Sequence, residues 1–268
     1  MKKLFIVEGL PCSGKSTTSK YIAEQLLKYG KNVVYIDEGT GNHPADYEFH
    51  AFVKECELIQ FSSELQSKIV DVAEHRLDGY IIPLSNFSGD DLECLINYKI
   101  YDFLPWEIEM PLMLDKWNDF VKEAMNDDKI YVFNCILLQN PMCETMMRFG
   151  YDEMQSFEYI SKIAELIKPL EPTVIYLAGS QIADRIKRTA DERVGWLDSV
   201  IDYHVNGNYG KSIHAEGFEG YIECLMERQR REQKILDKLS VSKITLTDAD
   251  KNWNDAYNAI DLCIRDGN

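Results

Sequence analysis

The chain lacks the features that would mark most metal-binding, secreted or membrane-spanning proteins. Its seven cysteines form no CxxC pair and no cluster with histidine. An odd, scattered set of thiols in a mid-sized chain fits reduced cysteines and a cytoplasmic setting rather than a disulfide framework. His43, His50, His75, His204 and His214 show no metal-ligand spacing. No apolar run approaches the ~20 residues needed to span a bilayer. The opening "MKK" passes at once into a loop pattern, so no signal peptide is expected. Positive charge is also scarce. Lys and Arg number 29 against 45 Asp and Glu, giving a formal net charge of −16. A duplex nucleic acid or an anionic membrane needs a basic face, so neither is expected as a partner. Low-complexity linkers and internal repeats are missing as well.

What the 268 residues do contain is a globular composition, with 45% hydrophobic residues, enough for a full core. Strand and helix patterns alternate from end to end, which predicts a doubly wound parallel sheet of about five strands with helices on both faces. Strands are predicted at Leu4–Glu8, within "NVVYIDEG" (32–39), at the start of "KIYVFNCILLQNP" (129–141), at "TVIYLAG" (173–179) and in "SKITLTDAD" (242–250). Helices are predicted at 15–29, near 49–60 and 64–77, at 107–126, in "YDEMQSFEYISKIAELIKPL" before Pro169, and in "WNDAYNAIDLCI". "GYIIPLSN" reads as an edge strand or a loop because of Pro83. Residues 181–239 are polar and mostly helical, broken by "VNGNYGK" and "AEGFEG". The expectation is one domain over 1–268, with 181–239 as a helical lid.

Gly9-Leu10-Pro11-Cys12-Ser13-Gly14-Lys15-Ser16 matches G-x-x-x-x-G-K-[ST] at every position, between a predicted strand and a predicted helix. The spacing has a physical reason. The loop, with Pro11, Cys12 and Ser13 between its glycines, must wrap a phosphate so that successive backbone N–H groups point inward. Gly9 and Gly14 permit the backbone torsions and the close approach. The helix that follows adds its positive end. Lys15 can reach the β- and γ-phosphates, the Ser16 hydroxyl can ligate Mg²⁺, and Thr17 adds a hydroxyl near the α-phosphate. A guanine-reading N-K-x-D is absent, so ATP is the expected nucleotide.

With "GLPCSGKSTT" at the start, "YIDEG" ending the second strand and "DRIKRTADER" after "TVIYLAG", the chain resembles the nucleoside and nucleotide kinase group of phosphate-loop proteins. That group includes deoxynucleoside kinases and thymidylate kinase. "EGTGNHPAD" and "LQNP" add a similarity to bacterial ATP-binding proteins described as thymidylate-kinase-like. The resemblance implies the P-loop NTPase fold and ATP- and Mg²⁺-dependent phosphoryl transfer. Deoxynucleoside kinases place a glutamate general base where Glu38 stands; metabolite kinases often place an aspartate, which suits Asp37. The resemblance also implies lid arginines over the transferring group, for which Arg185, Arg188 and Arg193 are the candidates. The chain departs from the group after its third core strand. Where an acidic residue and an arginine are expected it has Phe133-Asn134-Cys135 and then Gln139-Asn140-Pro141.

Phosphoryl transfer asks mainly for positioning and charge neutralisation. Lys15 would stabilise the phosphates. Glu38 is the favoured base for an acceptor hydroxyl, with Asp37 holding a magnesium-bound water, because neighbouring strand residues point to opposite faces. Arg185 and Arg188 share a helix face at a spacing of three, and Arg193 sits before "VGW" at a helix–loop break. His43 and Asp46 are candidate substrate contacts, against turn shaping and helix capping. Asn134 and Gln139 end a core strand where open α/β sheets bind ligands, and an amide there can meet a substrate or structure a turn. Lys211 and His214 lie in a glycine-rich flap or connector. "MERQRREQK", with Arg228, Arg230 and Arg231, reads as a solvated charged face. The expected function is γ-phosphoryl transfer from ATP to a hydroxyl or phosphate of a nucleoside, nucleotide or other metabolite. The alternative is a nucleotide-binding regulatory ATPase. The expected partner is the small-molecule acceptor, with a homodimer left open.

Overall fold

The computed structural model describes residues 2–190, 193 and 195–265. Eight strands form among them: β1 (Leu4–Gly9), β2 (Val33–Ile36), β3 (His50–Lys54), β4 (Glu74–Arg76), β5 (Gly79–Pro83), β6 (Ile130–Asn134), β7 (Thr173–Ala178) and β8 (Ser242–Thr247). The chain divides into two compact units. One is residues 1–38 with 121–268; the other is Gly39–Phe120.

In the first unit the five strands lie in the order β2-β6-β1-β7-β8, and every pairing is parallel. The expected α/β architecture, a P-loop NTPase fold, is therefore present. β1, β6 and β7 are buried along their whole length, as their mainly apolar sequences require when helices cover both faces. Alternation then sorts the side chains. Phe5, Val7, Val132, Ile175 and Leu177 pack with Ile22 and Leu26 of helix Lys15–Lys28 and with Ala256 and Ile260 of helix Trp253–Arg265. On the other face Tyr176 donates its hydroxyl to Glu232 of helix Gly217–Lys238, 2.7 Å away.

That helix corrects one expectation. Arg228 does not lie on a solvated face; it is 1% exposed, among the buried Tyr221, Cys224, Leu225, Glu232 and Ile235. Arg230 and Arg231 do sit toward the surface, paired with Glu227. Within 181–239, "VNGNYGK" is not a simple break. Asn208–Ser212 is a short helix, and a Cβ on Gly207 would stand 2.4 Å from the Met147 carbonyl oxygen.

The second unit holds a three-stranded antiparallel sheet, β3-β5-β4. Residues 49–60, expected to be helical, instead form β3 and a 3₁₀ turn at Glu55–Gln60. Short apolar runs fit either period; here Ala51 and Val53 pack with Leu65, Ile69, Ile82 and Leu84. The helix expected over 64–77 runs from Ser63 to Val72. Ser62 caps it by accepting from the Leu65 N–H, and β4 follows. β5 is the central strand, not an edge. Its Pro83 is tolerated because it is the last residue of the ladder, opposite His50.

One buried group ties the first unit together. Glu8, the residue before Gly9, is fully buried, and its carboxylate accepts from the backbone N–H groups of Leu137, Leu138 and Gln139 at 2.6, 3.0 and 3.0 Å. Burial pushes this carboxyl up to about 7, against the three backbone bonds and with help from Glu232. The native state thus keeps a proton that the unfolded chain releases near its ordinary 4.5. The corresponding stability is present below that value and is lost as pH rises through about 7. At ~1.4 kcal/mol per unit the change amounts to roughly 3 kcal/mol. Chemical denaturation at acidic and alkaline pH should show the wild type losing about 2–3 kcal/mol relative to Glu8→Gln as pH rises. A difference that does not change with pH would show that Glu8 does not titrate in this window.

Candidate active site

The phosphate loop joins β1 to helix Lys15–Lys28. Gly9 holds φ at 142°, and a Cβ there would lie 2.6 Å from the Leu177 carbonyl oxygen, so only glycine lets β1 and β7 close at this point. Gly14 holds φ at 94° under the indole of Trp253, 2.7 Å from where a Cβ would stand. Lys15 is buried, and its Nζ donates to the Leu10 carbonyl at 2.8 Å, which folds the lysine over its own loop.

The two acids after β2 make different contacts. Asp37 Oδ1 accepts from the Ser16 hydroxyl at 3.0 Å and from Asn134 Nδ2 at 2.5 Å. Burial raises its pKa, but bonds from Asn134, Tyr35, Ser16 and the Glu38 backbone outweigh that and leave it below the ordinary carboxylate value. Glu38 lines the cleft beside the loop. Gln139 Nε2 donates to its Oε1 at 2.9 Å and the Cys135 thiol to its Oε2 at 3.2 Å. Burial raises the Cys135 pKa well above the usual thiol value, so its proton stays available for that bond.

Asn134 is the hub between the acids. Its Oδ1 accepts from the Glu38 N–H at 3.0 Å, which fixes its Nδ2 toward Asp37 and Ser16. It is 3% exposed, so it positions the acids and does not itself line the cleft. Ser16 and Asp37 are hard oxygen donors side by side, and an ionised Asp37 suits Mg²⁺ with phosphate and water completing the shell. Among the described residues no group of three or more His, Cys, Asp or Glu could hold a metal alone.

The cleft measures about 450 Å³. Pro11, Cys12, Gly14, Lys15, Ser16 and Thr17 of the loop line it together with Glu38 and Gln139. The segment after β7 contributes Arg193, Trp196, Val200, Tyr203, His204 and Arg228 to the same lining. Among the expected arginines, then, Arg193 lines the cleft, and its guanidinium lies 5.7 Å from the Trp196 ring. Arg185 and Arg188 are engaged elsewhere. Arg185 is buried and pairs with Asp248 at 2.9 Å and Asp250 at 2.5 Å, over Gly179; Arg188 is exposed, 3.5 Å from Asp250. Asp191 and Glu192, inside the arginine segment read from the sequence, and Val194 just after it lie outside the described residues.

His43 and Asp46 belong to the second unit, where their contacts build a turn. His43 Nδ1 accepts from the Ala45 N–H at 3.1 Å, and burial, then Lys116, pulls its pKa down to about 3. Asp46 accepts from the Tyr47 N–H at 2.8 Å and the Tyr101 hydroxyl at 2.5 Å.

Sequence reading missed Glu8, Cys135, His204 and Arg228. For Arg228 a signal was present, since Tyr221, Leu225, Arg228, Glu232 and Ile235 recur at helical spacing and mark a buried stripe.

Replacing Asn134 by Asp would set a second carboxylate against Asp37 where an amide now donates. The variant should lose roughly 1–3 kcal/mol of stability by like-charge repulsion and lost hydrogen bonding. Millimolar Mg²⁺ should restore part of it. Thermal melts with and without Mg²⁺ test this; a melt unchanged by either the substitution or the ion would contradict the hub role.

The model of the family described as chromatin associated protein KTI12 matches residues 2–67, a span that contains the phosphate loop and both acids. No curated protein matches the chain. Over that first quarter the chain is similar to the KTI12 family, and its fold is that of a P-loop NTPase.

Proposed function

We propose that this protein is an ATP- and Mg²⁺-dependent kinase of a small molecule. The observation that supports it most is Glu38. A phosphate loop needs no second carboxylate beside it, beyond the one at Ser16, in order to bind a nucleotide. Here one lines the cleft that Lys15 lines, and two neighbouring donors set its orientation. An acceptor hydroxyl would place its proton on the Glu38 carboxylate. Its oxygen would form a bond to the γ-phosphorus while the bond from that phosphorus to the ADP oxygen breaks.

Lys15 would exchange its bond to the Leu10 carbonyl for the β- and γ-phosphates. Ser16 and Asp37 would hold Mg²⁺, which supplies charge neutralisation on the phosphates. Asn134 keeps Asp37 ionised and oriented. Arg193, which lines the same cleft, would approach the transferring group. No helix among the described residues is long and apolar enough to cross a membrane, and the acceptor is read as a small solute.

The second reading is a nucleotide-binding regulator with little chemistry. It is favoured by Asn134, which stands where the resembled kinases carry an acid. ADP release, measured with Mg-ATP across nucleosides, nucleotides, sugars and aminoglycosides, separates the two. Under the kinase reading at least one acceptor stimulates release. Lys15→Ala should abolish it, and Glu38→Gln should lower it by roughly 10²–10⁴-fold. Stoichiometric nucleotide binding without stimulated turnover, or a Glu38→Gln variant as fast as the wild type, would favour the regulator.

A further inference from the structure

The residues lining the cleft include buried polar atoms with no protein hydrogen-bond partner among the described residues. Arg228 is 1% exposed and lines the cleft. Its Nη1 donates to Cys143 Sγ at 3.2 Å and its Nε lies 3.1 Å from Glu232 Oε1, but Nη2 has no partner. His204 is 4% exposed, and its Nδ1 is 2.7 Å from the Val200 carbonyl oxygen. A carbonyl only accepts, so Nδ1 carries the proton. Burial, with Arg228 nearby, holds the ring neutral by pulling its pKa to about 4. His204 Nε2 is therefore an acceptor, and it too has no partner. Gln139 gives its Nε2 to Glu38, so its Oε1 is a third open group, again an acceptor.

One cationic donor and two neutral acceptors thus border the same cleft as the candidate base. Buried polar groups in a native protein find partners, and these three lack them among the described residues. Their complement is a molecule with an anionic oxygen for Arg228 and hydroxyl or amino donors for His204 and Gln139. The charge of the cleft agrees. Among the described residues that line it, Lys15, Arg193 and Arg228 stand with one carboxylate, Glu38, in a chain whose net charge is −16. Size agrees too, because about 450 Å³ must also admit the nucleotide phosphates.

We propose that Arg228, His204 and Gln139 form an acceptor subsite for a small hydroxylated anion, with Arg228 anchoring the anionic group and Gln139 linking the bound molecule to Glu38. This rests on the kinase reading for the word acceptor but not for the binding itself. The anionic group has two chemical sources, a phosphomonoester or a carboxylate.

Isothermal titration in saturating Mg-ADP, which fills the phosphate loop, tests the subsite. The probes are glucose 6-phosphate and glycerol 3-phosphate for the first source, glycerate for the second, and glucose and glycerol as neutral parents. At least one anion should bind ten-fold or more tightly than its neutral parent. His204→Phe, which keeps the ring and removes the acceptor, should weaken that binding five-fold or more. Arg228→Met would strand Glu232, so the Arg228→Met/Glu232→Met pair replaces both charges. It should abolish the preference for the anion while ADP affinity stays within about three-fold.

If no anion binds at millimolar concentration, if neutral parents bind equally, or if both variants bind the anion like the wild type, the subsite is wrong. Anion preference that survives without any stimulated ADP release would overturn the kinase reading and leave the subsite standing.

Discussion

The Glu8 carboxylate, set against three backbone amides at the end of β6, is the interaction on which the site depends. One residue later the chain enters the phosphate loop. The amides it holds belong to the turn that carries Gln139, and Gln139 holds Glu38. The phosphate-binding strand and the candidate base are thus joined through a single buried side chain. Burying a carboxylate is costly unless it is hydrogen-bonded or protonated. Glu8 uses both routes, with its pKa moved to about 7 while it accepts from the turn.

The same economy of contacts recurs around Asn134. One amide meets Asp37, Ser16 and the Glu38 backbone, so the strand end that lacks an acid still organises two acids brought by β2. The carboxylates near the loop consequently have separate environments. Glu8 is pushed up by burial, and Asp37 is pulled down by its donors. Divergent environments of this kind allow neighbouring carboxylates to serve different purposes. In the functional reading Glu8 positions, Asp37 meets the metal, and Glu38 meets the acceptor.

Much of this was legible in the sequence wherever the signal is local. The phosphate loop is contiguous, and the strands β1, β6 and β7 are mainly apolar on both faces, as a doubly covered sheet requires. The acids after β2 were readable because they end such a run. What stayed hidden depends on long-range pairing. Arg185 looked like a lid arginine until Asp248 and Asp250, more than 60 residues away, claimed it. Arg228 looked solvated because charged neighbours surround it in sequence, although its helical stripe is apolar. The 49–60 segment fits a helix period on paper and is decided by Leu65 and Ile82, against which β3 packs.

In the proposed reading Asp37 and Ser16 receive the metal that accompanies the nucleotide in this loop. ATP affinity, titrated with and without Mg²⁺ in the wild type and in Asp37→Asn, tests this. Mg²⁺ should tighten ATP binding to the wild type by ten-fold or more, and Asp37→Asn should lose most of that gain while still binding ATP. Equal Mg²⁺ enhancement in the two proteins, or none in the wild type, would contradict it.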